Sequence, residues 1–547
     1  MRYLLYSLQL VRFIYVGALF LVLAEGASAQ SPNIILGRPT DTSVTASIMF
    51  TTAQFCYVEY GAAPSSYSNT TPIMQLQANV PEELLINKLN ADSRYWYRVR
   101  YNSSGSGVFA TTPEYNFHTQ RKPGSAFTFT IEADEHLYDK KGIANMYKVT
   151  LANQAADQPD FMLSLGDIFG DDHQWKTITS PEVDVLHRNY RPFLGAVCHS
   201  IPFYVCLGNH EGENDYYYLQ KPGANLCVWG TQSRKNYYPN PFPNGFYSGN
   251  ADVEPYGIGN PENYYAWVWG DAQFIVLDVY RDQCDSSDKP LKWAWTLGKK
   301  QYDWLKNTLA ASTSKYKFVF AHHVRGQGRG GITNATQFEW GGLDGTKDLF
   351  ATNRTGWDKP IHKLFVDNKV NIFFQGHDHV FAHETLDGVV YQACPMAADS
   401  TYEIGMLANA DAYVSDTFPG TGHLRVHVGD DGVKVDFVRA YLPKDTLGIR
   451  KNREVPFSYT VGGLPQQQIE LLDASVRVWP NPAENRLYIE LPEALRGATL
   501  TLSNLQGQTL LHSAVPEMDL SRLSPGCYLL HMQHHQTTLC RKVWVNR

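Results

Sequence analysis

Between residues 33 and 120, apolar and polar residues alternate in short runs broken by turn residues, as in Ser43 to Met49, Phe55 to Tyr60 and Tyr95 to Tyr101. A period of two puts successive side chains on opposite faces of a pleated strand, so this region predicts a small β-sandwich over residues 30–120. From residue 125 the pattern changes. Apolar runs at Phe127 to Ile131, Phe161 to Leu165, Pro202 to Leu207, Gln273 to Leu277, Phe318 to Ala321 and Val370 to Phe374 are separated by longer amphipathic stretches. Lys141 to Ala156 and Gln301 to Ala311 are the helix candidates among them. Buried strands alternating with helices predict a layered α/β domain over residues 125–443. Residues 444–473 are mixed, with Gly462-Gly463 and Gln466-Gln467-Gln468, and read as a linker. Residues 474–547 return to short strands and predict a second small β-sandwich.

The first residues add an address. Arg2 and Arg12 are basic, Phe13 to Leu23 is apolar, and Ala27-Ser28-Ala29 supplies the small residues that precede a signal-peptidase cut. Residues 1–29 therefore read as a signal peptide, with the mature chain starting near Gln30. That apolar run is short for a membrane span, and no other segment is long enough, so no transmembrane segment is expected in the mature chain. A net charge of -7 over 547 residues offers no basic excess to displace counterions, which argues against binding a nucleic-acid backbone. The eight cysteines form no C-x-x-C pair, so a zinc knuckle is not expected. Cys206, inside an apolar run, reads as a buried free thiol. Cys527 and Cys540 flank a hairpin with its turn near His534-His535, and a cross-strand disulfide is expected between them.

The chemistry sits just after the apolar runs. Asp134-Glu135-His136, Gly166-Asp167, Gly208-Asn209-His210-Glu211, Ala321-His322-His323 and Gly376-His377-Asp378-His379 each follow one. Taken singly, Asp-x-His is more often a turn-capping Asp beside a surface His. Together, at the ends of strands that a layered α/β fold gathers at one edge, carboxylates, imidazoles and one amide make a donor set for two metal ions. Two such ions repel, so an anionic bridge is needed, and Asp134 and Asp167 are the carboxylates at the right strand ends.

The order D-x-H, GD, GNHE, H, GHxH resembles the calcineurin-like metallophosphoesterases over residues 125–443, and the preceding sandwich is similar to the arrangement in purple acid phosphatase-like members. Leu85 to Tyr101 resembles the late strands of a fibronectin type III domain. The resemblance implies one metal on Asp134, His136, Asp167 and His379, and a second on Asp167, Asn209, His322 and His377. Asp167 is then the bridge, and a hydroxide on the metals attacks phosphorus. His210 is implied as the acid that protonates the leaving oxygen or stabilises charge on the phosphate. The ions are two divalent or mixed-valence metals, iron, manganese or zinc. A tyrosinate-bound iron is not expected, because Gly170 stands where purple acid phosphatases carry the Tyr.

The residues leave the ligand open between His322 and His323, and the resemblance implies the first; His323, Arg325 and Arg329 are then candidates for touching a small phosphate ester, with a solvated loop as the plain alternative for the two arginines. Asp171, Asp172 and His173 read as solvated loop, and Glu211 as a partner for His210. Residues 474–547 resemble the C-terminal sorting domain of the type IX (Por) secretion system. The points of match are Pro480-Asn481-Pro482-Ala483, Leu505-Gln506-Gly507-Gln508, Asp519-Leu520-Ser521 and Gly526-Cys527-Tyr528-Leu529-Leu530. That resemblance implies export to the surface or medium of a Gram-negative bacterium, with the secretion machinery as partner. The expected function is a secreted phosphomonoesterase. The alternatives are a phosphodiesterase or nucleotide pyrophosphatase, with Asp215 to Asn263 as a second subsite, and a surface binding protein without catalysis.

Overall fold

Alternating burial builds the first unit. The computed structural model describes residues 31–546 apart from 171, 222, 283–291, 325–328, 405–411, 415, 431, 447, 449, 463–474, 505–508 and 535–536. The signal-peptide segment, Arg325, Asp171 and Cys284 therefore lie outside the described residues. Strands β1 (Asn33–Gly37), β2 (Val44–Met49), β3 (Gln54–Gly61), β4 (Glu82–Ile86), β5 (Arg94–Asn102) and β6 (Tyr115–His118) form two facing sheets. In β5 the even burial rhythm puts Tyr95, Tyr97, Val99 and Tyr101 inward against Ile34, Val44, Ile48 and Val58.

The unit does not stand alone. Ile35 and Met49 face away from its own core and join Tyr147, Tyr190 and Phe203 of the next domain. The junction is also hydrogen-bonded: Leu36 N–H donates to Cys198 O (2.9 Å) and Tyr97 Oη to His199 O (2.6 Å). Arg191, fully buried, donates through Nε to Asn33 Oδ1 (3.0 Å), through Nη2 to Ser47 O (2.9 Å) and through Nη1 to Ser47 Oγ (3.0 Å) and Tyr237 O. Burial without a carboxylate partner pulls Arg191 down to about 10, still a cation at neutral pH.

The central domain is two sheets packed face to face with helices outside. Along the chain run β7 (Phe127–Glu132), α1 (Ala144–Ala156), β8 (Phe161–Ser164), α2 (Ser180–Gly195), β9 (Phe203–Val205), β10 (Tyr265–Trp269), β11 (Ala272–Val276), α3 (Gly298–Ala311), β12 (Tyr316–Phe320), β13 (Ile372–Gln375), β14 (Phe381–Leu386), β15 (Val389–Ala393), β16 (Gly422–Gly429), β17 (Gly432–Arg439) and β18 (Phe457–Val461). One sheet has the order β9-β8-β7-β16-β17-β18, and the second carries β10-β11-β12-β13-β15-β14. Strands β7, β8 and β9 are parallel, as are β11, β12, β13 and β15. Their inner faces meet in an aromatic layer in which Phe129 lies 5.1 Å edge-on to Phe274 and 5.4 Å from Phe161. Such pairs add to the area they bury and fix how the sheets seat on each other.

The six apolar runs read from the sequence are all strands, and both helix candidates are helices. Two features differ. The antiparallel pair β16 and β17, which closes the first sheet, was not singled out by pattern. Phe457–Val461, placed in the linker by composition, pairs with β17 as an edge strand, and its alternate half-burial explains the weak signal. Among the described residues, no helix is long and apolar enough to cross a membrane.

The tail folds into a three-stranded and a four-stranded sheet whose strands pair only with one another among the described residues. Its core is built from residues between Val476 and Val545. Its terminal hairpin pairs Gly526–His534 with Thr537–Val545, with Cys527 opposite Trp544 and Cys540 opposite His531. The expected disulfide is therefore absent, and both thiols are free. Four residues of offset separate them by about 13 Å along the strands, beyond the roughly 7 Å limit for a disulfide. Cys206 is a buried free thiol, as its apolar run implies.

Candidate metal centre

Five of the seven described parallel strands deliver the signatures at the shared edge of the two sheets. Asp134 and His136 follow β7, Asp167 follows β8, Asn209 and His210 follow β9, His322 and His323 follow β12, and His377 and His379 follow β13. The turns that aim them are unusual. Asp134, His136, Asp167, His377 and His379 all have positive φ, between 48° and 68°. Non-glycine residues in this region cost energy, and they cluster where a site fixes side-chain direction. The glycines allow close approach: a Cβ on Gly208 would lie 2.2 Å from Asp167 Oδ1.

The two carboxylates are arranged alike. Asp134 Oδ2 accepts from His377 N–H (2.8 Å), and Asp167 Oδ1 accepts from His210 N–H (2.8 Å). Each backbone bond ties one oxygen down and turns the other toward the centre. Asp134 Oδ1 is buried without a hydrogen-bond partner and lies 3.6, 3.8 and 3.9 Å from Nε2 of His379, His322 and His136. Asp167 Oδ2 lies 3.1 Å from His322 Nε2 and 3.9 Å from His136 Nε2, between the two groups.

The nitrogens face one another in pairs. His136 Nε2 is 3.0 Å from His379 Nε2, and His377 Nδ1 is 3.2 Å from His322 Nε2. These separations match two ligands on one ion with metal–nitrogen bonds of about 2.0–2.1 Å. Asp134 with His136 and His379, and Asp167 with His322 and His377, are thus compact groups of donors. An orphaned buried carboxylate oxygen facing imidazole nitrogens is a donor set that a cation completes. The residues present fit metal ions.

Surrounding groups fix the rings. His322 Nδ1 donates to Leu165 O (2.7 Å), which leaves Nε2 as the lone-pair atom. Tyr138 Oη meets His136 Nδ1 at 2.7 Å. Burial pushes Asp134 up to about 8, with Asp167 adding to it. Burial works against charge on His322, yet Asp167 and Asp134 push it up to about 9. Such mutual shifts mark a place where positive charge is favoured.

A cavity of about 240 Å³ opens over this set, lined by His136, Lys141, Asp167, His173, Asn209, His210, Arg329, His377 and His379. His210 Nε2 is 3.8 Å from Asp167 Oδ2. Arg329 Nη1 donates to His377 O (2.6 Å) and lies 3.4 Å from Asp378 Oδ1. Asp378 itself holds Gly330 N–H (2.7 Å) and Tyr413 Oη (2.5 Å). His323 is fully buried behind the wall, its ring 4.2 Å from His377 and its Nε2 3.5 Å from Tyr280 Oη.

One expectation is corrected and another extended. Glu211 does not turn to the His210 ring. Its carboxylate accepts from the backbone N–H groups of Gly208 (2.6 Å), Ile168 (2.7 Å) and Asp167 (3.0 Å), clamping the two loops together. His173, read as solvated loop, is exposed but stands 4.7 Å from the His210 ring on the cavity wall. Tyr138, Tyr280 and Lys141 escaped sequence reading because no spacing rule marks a lone Tyr or Lys near a signature. At Gly170 a Cβ would lie 1.6 Å from His210 O, so the loop has no room for a Tyr there.

Comparison with known proteins agrees with this geometry. Residues 127–381 match the calcineurin-like phosphoesterase family model, and residues 477–546 match the secretion system C-terminal sorting domain. The fold is similar to the structure of PhoD, with a TM-score of 0.56 and 16% identity over 80% of this chain and 92% of that one. It is also similar to purple acid phosphatase PPD1 from yellow lupin (Lupinus luteus) seeds, with a TM-score of 0.53 and 15% identity over 79% of this chain and 74% of that one. At these identities the likeness concerns the fold. No curated protein matches the chain by sequence. The central domain belongs to the calcineurin-like phosphoesterases, which makes the chain a metal-dependent phosphoric ester hydrolase, and its tail is a secretion-system C-terminal sorting domain.

Proposed function

We propose that this chain is an exported phosphomonoesterase whose two cation sites share Asp167. Asp134, His136, Asp167 and His379 would hold one ion, and Asp167, Asn209, His322 and His377 the other. Two divalent or mixed-valence ions, iron, manganese or zinc, supply Lewis acidity and an activated water when bound. Four neutral imidazoles and one amide complete the shells without adding negative charge, which preserves that acidity.

The chain's own groups do the rest. His210, on the cavity wall beside Asp167, protonates the leaving-group oxygen. Arg329, held by His377 O and Asp378, presents its remaining guanidinium N–H groups to phosphoryl oxygens. The observation that carries the reading is Asp167 Oδ2, which faces His322 of one group and His136 of the other from a single buried atom. The tail implies passage through the type IX machinery, and we place the mature enzyme at the surface or in the medium of a Gram-negative bacterium.

The test sets p-nitrophenyl phosphate beside bis(p-nitrophenyl) phosphate. The monoester should turn over faster. The reverse order favours the diesterase reading, with the segment Asp215 to Asn263 as second subsite. His210→Ala should cost roughly 10²–10⁴-fold, less for p-nitrophenyl than for alkyl phosphate, since a good leaving group needs no proton. Equal losses on both would count against an acid.

A further inference from the structure

Lys141 is the cavity residue that no signature accounts for. It sits on the short connection between β7 and α1, five residues after His136. That connection is wound tightly: Lys140 N–H bonds Leu137 O (3.3 Å), Gly142 N–H bonds His136 O (3.0 Å) and Ile143 N–H bonds Ala398 O (3.0 Å). Asp139 holds Lys141 twice. Its Oδ1 accepts the Lys141 backbone N–H (3.1 Å), and its Oδ2 lies 2.8 Å from Nζ. The Lys141 side chain is 32% exposed, far less than a free surface lysine.

The same Asp139 Oδ2 stands 3.6 Å from His136 Nδ1. One carboxylate thus stands beside both the lysine and the ring of a proposed metal ligand, which keeps Nζ near the centre. Lys141 and Arg329 come from different loops and both line the cavity, where Asp167 is the one carboxylate among the described lining residues. The wall facing an incoming phosphoryl group is therefore rich in N–H donors. A terminal phosphate carries two negative charges and three non-bridging oxygens. A diester carries one charge and two such oxygens, so a second cation at the wall has less to pair with.

We propose that Lys141, positioned by Asp139, binds a non-bridging oxygen of a dianionic phosphoryl group and sets the preference for monoesters over diesters. This rests on the phosphoesterase reading above. Lys141 touches substrate, and Asp139 is a positioning residue that acts through it.

The test uses the full chain, metal-loaded, with Lys141→Gln and Lys141→Arg. Three quantities are measured: kcat/KM on the two chromogenic esters, the Kd of inorganic phosphate by calorimetry, and metal content. Loss of one charge-assisted hydrogen bond should lower monoester kcat/KM about 10-fold or more in Lys141→Gln. KM and the phosphate Kd should rise in step, diester kcat/KM should fall less than monoester kcat/KM, and metal content should hold. Lys141→Arg should restore most of the monoester preference. Equal losses on both esters, or phosphate binding unchanged in Lys141→Gln, would overturn the proposal. If the wild-type chain hydrolyses neither ester, the phosphoesterase reading fails, and the phosphate titration still decides Lys141.

Discussion

In the N-terminal sandwich, Ile35 and Met49 share a core with Tyr147, Tyr190 and Phe203 of the catalytic domain, whereas the C-terminal sandwich draws its core from residues 476–545 alone. Both are small, strand-rich and built on alternating side chains. The difference lies in what the outward faces carry. β1 and β2 present apolar residues and backbone acceptors to α2, and Arg191 crosses the junction to reach Asn33 and Ser47. The tail turns outward Trp479, Tyr488 and Trp544, which are 47%, 38% and 53% exposed. Ile73, Leu85 and Val108 are exposed on the N-terminal sandwich, which buries or half-buries its Trp and Tyr rings. A module that serves an outside partner, as a sorting domain does, leaves such rings in reach.

Arg191 gives the strongest way to break this contrast. Arg191→Met should leave Ser47 O and Tyr237 O buried without their donor, at about 1–3 kcal/mol each. Urea unfolding should show the sandwich and catalytic domain losing stability together, in one transition. Separate transitions, with the catalytic one unmoved, would show that the junction is only a contact.

A smaller effect tests where the catalytic domain ends. Asp157, 1% exposed, receives His423 Nε2 (2.8 Å), Arg425 Nη1 (2.9 Å) and Arg453 Nη2 (2.5 Å), and so ties the end of α1 to the segment that leads into β18. Burial alone would raise its pKa, but His423 and Arg425 hold it down at about 2. A folded value below the unfolded one, about 3.9, stabilises the protein above pH 4, and the contribution is lost as pH falls through 2. Asp157→Asn should therefore cost about 2 kcal/mol at neutral pH. The gap to wild type should close as pH approaches 2. A gap independent of pH would deny the charge network its role.

The smallest effect belongs to the tail. Residues 30–462 alone should unfold at the same temperature as the catalytic domain of the full chain and turn over substrate at the same rate. They should remain in the periplasm of the native host. A lowered transition, or lost turnover, would mean that the tail completes the domain after all.

What the sequence made legible follows the range of the interactions. Asp134, His136, Asp167, Asn209, His210, His322, His377 and His379 each stand next to an apolar run, so chain position alone predicted that they would converge. Groups that act from elsewhere were hidden. Tyr280 reaches His323 and Asn209 across the sheet edge, Tyr413 reaches Asp378 from 35 residues away, and Glu211 spends its carboxylate on backbone N–H groups. None of these has a local pattern. The hairpin cysteines failed for a related reason: register depends on where the turn falls, and a shift of the turn centre by two residues moves the partner by four. Strand β18 was lost because a half-buried edge strand carries little apolar signal.

One shared atom, Asp167 Oδ2, decides whether the two cation sites are joined, and the direct measurement is metal content beside turnover. Wild-type protein, purified and exposed in turn to iron, manganese and zinc, should hold two ions per chain. Asp167→Asn should hold at most one and lose hydrolysis, because the anion that offsets the repulsion between the ions is gone. Two ions and near-normal turnover in Asp167→Asn would contradict the shared bridge and the site built around it.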